Sequence, residues 1–379
     1  MMDKQYLGIF FWIILGLFFG LALFFLLVQV PPQPPPQNNA TLNETPGQVP
    51  EAINITIIAA PDCDRCDSAT VLLEQLQDVA PVYNVTVGQV TTIDAASPQA
   101  VSLISRYGIK KLPTMIISSN IQSNQQFLSI WQSNIGTRES DGSLVFRALY
   151  LPYYDTEKQS VVGLVKGIAI NATSCEECID ASAFFVSLES EIVGMQFSNE
   201  TLLQETDQEA EALIAQHNIT KLPTLLLSED ALAYDFFNQS IVKYGTIENG
   251  WFVLRNVTPP YVDLEANHSV RGILQSILLV NSSCGECFNM SLFANYIESS
   301  RGLFIKNTTT YEINSSEGTA LVSRYNITSI PTVLYPPEAA IYPGFEDFWF
   351  AQNNTRESDG WYVFRAQHLL ALPYQNLTG

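Results

Sequence analysis

Hydrophobic and polar positions change period several times along the chain, and the changes recur in three copies. Residues 53–60, INITIIAA, alternate at first and then run apolar, which predicts a β-branched strand. From Asp67, DSATVLLEQL carries its apolar residues at helical spacing. Residues 82–92 predict a second strand, 98–107 a helix stopped by Gly108, and TMII from Thr114 a further strand. The copies align as RYGIKKLPT, QHNITKLPT and RYNITSIPT, so Gly108, Asn218 and Asn326 share one place. Gly and Asn tolerate the left-handed conformation that ends a helix, which predicts a shared C-cap. Strands TLLL from Thr224 and TVLY from Thr332 match the first. Each copy closes on a polar, Gly-containing turn between β-formers, a hairpin signal. These turns start at Thr137, Thr246 and Thr355 and lead to Arg147, Arg255 and Arg365, expected to be paired or solvent-facing strand residues.

Cysteine falls in the same rhythm. The six cysteines are Cys63/Cys66, Cys175/Cys178 and Cys284/Cys287, each pair spaced CxxC after the first strand. Pro113, Pro223 and Pro331, each followed by Thr, stand 50, 48 and 47 residues beyond the first Cys of their pair. The first cysteines are 112 and 109 residues apart, a period of whole domains rather than a short-repeat solenoid. The expected divisions are 51–154, 155–262 and 263–379, just after the Pro-Tyr steps at Pro152 and Pro260.

Strand, CxxC at a helix start, strand, helix and a Pro-Thr step into an antiparallel strand resemble the thioredoxin superfamily. Three copies in one chain resemble the protein disulfide isomerase and DsbA class over almost all of residues 51–379. The resemblance implies an α/β fold of three tandem thioredoxin-like domains, each a central mixed sheet flanked by helices. It implies that Pro113, Pro223 and Pro331 are cis and lie beside the cysteines. Two departures stand out: Asp62, Ser174 and Ser283 occupy the place of the usual Trp, and no closing helix is evident after each hairpin.

The chemistry follows from sulfur. A thiolate, not a thiol, attacks a disulfide, and a helix N-terminus favours it with unpaired N–H groups and its positive dipole end. Cys63, Cys175 and Cys284 are thus expected to attack, with Cys66, Cys178 and Cys287 one turn on to resolve the mixed disulfide. Pro113, Thr114, Pro223, Thr224, Pro331 and Thr332 are expected to bind an extended substrate segment by β-addition. The CxxC interiors differ: Asp64-Arg65, Glu176-Glu177 and Gly285-Glu286. On charge alone, the second pair is expected to be the most reducing.

Outside the repeats, residues 6–30 are uncharged and apolar, about the ~20 residues that cross ~30 Å of hydrocarbon. The stretch exceeds a secretory core and lacks a small-x-small cleavage site, which favours an uncleaved signal anchor. Lys4 precedes it and the next basic residue is Arg65, so the positive-inside rule puts 1–5 in the cytoplasm and the rest outside. Residues 31–50 are a Pro-rich spacer. Asn-x-Ser/Thr sequons begin at Asn39, Asn43, Asn54, Asn84, Asn171, Asn199, Asn218, Asn238, Asn256, Asn267, Asn281, Asn289, Asn307, Asn314, Asn326, Asn353 and Asn376. They take 17 of the 24 asparagines and none precedes the apolar stretch, the pattern of a glycoprotein outside the membrane.

The net charge of −20 excludes a polyanion partner such as nucleic acid. The acidic, sequon-dense, His-poor composition reads as archaeal. Zinc shared between two pairs would need residues from domains ~110 residues apart, so neither metal nor cofactor is expected. Two functions stay open. One is a membrane-anchored thiol–disulfide oxidoreductase acting on extracytoplasmic proteins and recharged by a membrane oxidase or reductase. The other is a glycosylated cell-surface structural or adhesive protein with redox-inert disulfides. A CxxC bridge closes so short a loop that it stabilises little, which favours redox use.

Overall fold

The computed structural model of the protein describes residues 50–118, 124–190 and 192–378. The expected cytoplasmic tip, membrane anchor and all but Pro50 of the spacer lie outside those residues, as do Asn39 and Asn43. Among the described residues no helix is long and apolar enough to cross a membrane.

Three consecutive α/β units share one strand order. Across the first sheet it runs Val85–Ile93, Glu51–Ile58, Thr114–Ile117, Leu144–Phe146, Gly136–Arg138. The first two strands are parallel and the other pairings antiparallel. The second unit repeats the order with Gln196–Gln204, Leu164–Asn171, Thr224–Ser228, Trp251–Leu254 and Gly245–Glu248. The third uses Ile305–Glu312, Leu274–Val280, Thr332–Tyr335, Tyr362–Val363 and Thr355–Arg356. Tandem thioredoxin-like domains have this arrangement. In the first two units the chain passes from the hairpin to short strands, with no closing helix.

The pleat sorts apolar side chains to two faces. In the first unit Ile53, Ile55, Ile57, Met115, Ile117, Leu144 and Phe146 form one core with the helix Ser68–Val79. Ile58, Ile116 and Val145 face the other way, toward Ala100, Ile109 and Leu112. The helix Pro98–Tyr107 has the bounds its sequence predicts, because both ends are chemically marked. Ser97 Oγ accepts from the Ala100 N–H, and Gly108 turns left-handed at φ +56°. Asn218 and Asn326 take the same conformation in the other units, each at φ +46°. One segment per unit was not foreseen: helical turns between the third strand and the hairpin bury Trp131, Phe237 and Trp349 completely.

The expected divisions at 154/155 and 262/263 fall inside the short strands Tyr153–Asp155 and Tyr261–Asp263. Each strand folds back onto the unit just completed, pairing with Lys111–Leu112 and Lys221–Leu222 respectively. Each also forms a hairpin with the strand after it, Ser160–Val162 or Ser269–Arg271. The next unit then takes hold of the chain. Tyr234 Oη donates to Gly163 O at 2.6 Å, and Tyr342 Oη bonds Gly272 O in the same way. Both glycines have positive φ, +83° and +91°, which suits them to the bend between hairpin and new strand.

Candidate thiol–disulfide sites

Strand register brings cysteine and proline together. The last pairings between first and third strands are Ile58 with Thr114, Ile170 with Thr224 and Leu279 with Thr332. Each CxxC leaves the sheet just beyond the first residue of such a pair, and each proline immediately precedes the second. Both therefore lie at one end of the sheet in every unit. The Leu112–Pro113, Leu222–Pro223 and Ile330–Pro331 peptide bonds are cis. All three cysteine pairs are disulfides, with Cα–Cα distances of 5.5, 5.4 and 5.4 Å.

The cysteines do not open their helices, as the sequence reading expects. They occupy turns, and the helices begin later, at Ser68, Ser182 and Met290. Only the third helix has a side-chain cap, Asn289 Oδ1 accepting from the Ser291 N–H; Asp67 and Ala181, at the N-caps of the first two, accept no such bond, and Asp180 Oδ1 accepts from the Ser182 N–H just ahead of the cap. The bond from the Ser182 N–H holds the Asp180 carboxyl below its ordinary pKa. Dipole effects decay within the first turn, so the helix gives the first sulfur of each pair little help. Thiolate stability falls instead to neighbouring charges.

The three sites differ in access. Cys63, Cys66, Cys284, Cys287 and Cys178 are half-buried. Cys175, the expected attacking sulfur of the second pair, is only 7% exposed and packs with Leu222 and Leu226.

The threonines after the prolines are not positioned to bind substrate by their side chains. Thr114, Thr224 and Thr332 are fully buried, and their hydroxyls donate to Phe146 O, Leu254 O and Phe364 O at 2.8, 2.9 and 2.6 Å. A β-branched residue with one hydroxyl both fits the strand and ties it to the hairpin. Backbone β-addition before the proline also meets an obstacle. Lys111 and Leu112 are already paired with Asp155 and Tyr154, Lys221 and Leu222 with Asp263 and Val262, and Ser329 and Ile330 with Asn376 and Gln375. The chain thus supplies its own strap at each site, from a Pro-Tyr stretch after each hairpin. Lys111 and Lys221 place their ammonium groups 4.1 and 4.7 Å from the Tyr153 and Tyr261 rings. The third strap, Gln375–Asn376, meets Ser329 where the others meet a lysine, and among the described residues it pairs with Ser329–Ile330 alone. It lies against the cysteine loop: the Phe288 N–H donates to Pro373 O at 2.9 Å and Asn281 Nδ2 donates to Gln375 Oε1 at 2.7 Å.

The repeated arginines are fasteners. Arg365 Nε donates to Thr355 Oγ1, and its terminal nitrogens bond Tyr325 O, Asn326 O and Glu357. Arg147 makes the equivalent set with Thr137, Tyr107 O, Gly108 O and Glu139. Arg255 bonds Thr246, Asn218 O and Glu248, and the buried His217 meets that same carboxylate at 3.1 Å. Each clamp ties the hairpin to the C-cap of the helix before the proline.

Of the sequon asparagines among the described residues, all but two are exposed. The exceptions, Asn171 and Asn281, are half-buried and brace the cysteine loops: Asn171 Oδ1 accepts from the Ala181 N–H and Asn281 Oδ1 from the Ser283 N–H.

No family profile and no curated protein matches the chain. Among solved structures it is similar to ERdj5 in crystal form II, at 11% identity over 77% of this chain and 39% of that one, TM-score 0.16. It is also similar to human ERp44, at 11% identity over 86% and 91%, TM-score 0.14. A third is the NTD_N/C domain of the alkylhydroperoxide reductase AhpF from Enterococcus faecalis, at 17% identity over 45% and 81%, TM-score 0.15. The chain spans 39% of the length of the ERdj5 structure. At these TM-scores the likeness carries no argument, and the fold rests on the strand order and register above.

Proposed function

We propose that the protein is a thiol–disulfide oxidoreductase, anchored by residues 6–30 and acting on extracytoplasmic proteins. The observation that carries the reading is the placement of the sulfur. All six cysteines sit as CxxC pairs on the same turn of three otherwise divergent units, at the sheet end that also holds the Pro-Thr step. Three short-loop bridges add little stability, so retaining both cysteines in each copy points to exchange.

In the reducing direction, one thiolate Sγ of a reduced pair attacks a substrate disulfide. A mixed disulfide forms and one substrate thiolate leaves. The second Sγ, deprotonated, attacks the enzyme sulfur of that bridge and releases the other substrate thiolate. The substrate gains two electrons and the pair becomes a disulfide. Oxidation is the reverse, and the pair is restored by a dithiol or disulfide partner, proposed to be a membrane reductase or oxidase. Cys63 and Cys284 are the proposed attacking residues, since each is half-buried where Cys175 is enclosed. Arg65 lies within the first CxxC and favours its thiolate.

The occupied edges before the prolines favour a second reading, a glycosylated surface protein with inert disulfides. Turnover separates the two. Residues 50–379 with dithiothreitol are expected to reduce a peptide disulfide catalytically, and the six-serine variant to do so at the uncatalysed rate. Equal rates for the two proteins would refute the oxidoreductase reading.

A further inference from the structure

The second CxxC carries Glu176 and Glu177 beside its sulfurs, an arrangement that disfavours a thiolate. A cation from the following unit answers one of them. Lys306, on the outer strand Ile305–Glu312 of the third unit, places Nζ 2.5 Å from Glu177 Oε1. The carboxylate is the more enclosed partner, its side chain 22% exposed against 52% for the lysine. Lys306 holds Glu177 below its ordinary pKa, first through this hydrogen bond.

At the first junction no such ion pair forms among the described residues: burial and the neighbouring Glu189 raise the pKa of Glu200, on the outer strand Gln196–Gln204, against a smaller opposing pull from Arg65, the third residue of the first CxxC. Aligning Pro223 with Pro331 makes Ser198 the counterpart of Lys306, and each is the extra residue at a register shift in its strand; Glu200 lies two residues further on. Among the described residues Glu286, the corresponding residue of the third CxxC, has no ion pair.

We propose that Lys306 is a positioning residue for the second cysteine pair: it docks on Glu177, neutralises it, and so raises the reduction potential of Cys175/Cys178. This rests on the oxidoreductase reading for its purpose, not for its measurement. Removing the lysine leaves two uncompensated carboxylates near the sulfurs, destabilises the reduced thiolate form and makes the couple more reducing.

The test uses the full chain, in detergent, with Cys63, Cys66, Cys284 and Cys287 changed to serine, equilibrated in glutathione buffers and read by thiol alkylation. Lys306→Gln is expected to shift the dithiol–disulfide equilibrium about threefold toward the disulfide. Lys306→Arg is expected to restore the original value, and Lys306→Gln is expected to have no effect once Glu177→Gln is present. An unchanged equilibrium in Lys306→Gln, or the same threefold shift in the Glu177→Gln background, would overturn the proposal. Circular dichroism of each variant checks that the fold is intact. The equilibrium can be measured whether or not the protein turns over substrate, so failure here is distinct from failure of the oxidoreductase reading.

Discussion

Thr114, Thr224 and Thr332 offer three copies of one perturbation, with a built-in difference. Replacing Thr114 by Val keeps the shape and removes the hydroxyl, leaving Phe146 O without the 2.8 Å bond it accepts inside the core. Loss of a buried hydrogen bond with one partner left behind costs ~1–3 kcal/mol. No other side chain donates to Phe146 O among the described residues, whereas Phe364 O also accepts from Gln367 Nε2 at 3.3 Å. Thr332→Val should therefore cost less, about 1 kcal/mol or below, because the carbonyl keeps a donor. A three-unit chain need not unfold in one step, so peptide-resolved hydrogen exchange is the suitable assay. A loss of ~2 kcal/mol corresponds to roughly thirtyfold faster exchange. It is expected in 114–117 and 144–146 of Thr114→Val, with a smaller change in 332–335 and 362–363 of Thr332→Val. Unchanged exchange with a raised KM for a disulfide peptide would refute the reasoning and return the hydroxyls to substrate binding.

Three further outcomes follow from the same contacts. Burial raises the pKa of Glu298 above its ordinary value of 4.5, outweighing the opposing hydrogen bond from Tyr335, so the folded third unit binds its proton more tightly than the unfolded chain. The associated stability is full below the ordinary value and is lost as pH rises through the folded one. Glu298→Gln should thus raise the melting temperature at pH 7, with the gain vanishing below about pH 4. Deleting residues 371–379 removes the third strap, and after reduction Cys284 should react at least about tenfold faster with a bulky maleimide while Cys63 is unchanged; equal rates would show that the strap does not shield the site. Glycopeptide mass spectrometry should find Asn171 and Asn281 unoccupied and exposed asparagines such as Asn199 and Asn307 occupied, since only the first two are engaged in loop hydrogen bonds at their cysteines.

Local chemistry made much of the fold legible. Residues 98–107 carry a Ser-Pro start and a glycine stop, and the helix has those bounds. The alternation at 53–57 foretold the face that packs on Leu72 and Leu76. The turns burying Trp131, Phe237 and Trp349 were missed although Phe127, Leu128 and Trp131 lie at helical spacing, because the segments are short and follow a continuous apolar strand. The candidate site was legible in its membership and less so in its surroundings. CxxC spacing located the sulfur, but the helices start only at Ser68, Ser182 and Met290, beyond the cysteines that the spacing alone put at their N-termini. The straps and the Lys306–Glu177 contact depend on residues tens to more than a hundred positions away, which no local period encodes.

The central claim is that these disulfides exchange. Its most direct test is the reduction potential of each pair, taken in variants of residues 50–379 that retain only that pair. The account predicts at least one pair, with Cys63/Cys66 the most oxidising because of Arg65, in the range of cycling dithiols, about −270 to −120 mV. Potentials all below about −300 mV would mark three structural bridges and contradict it.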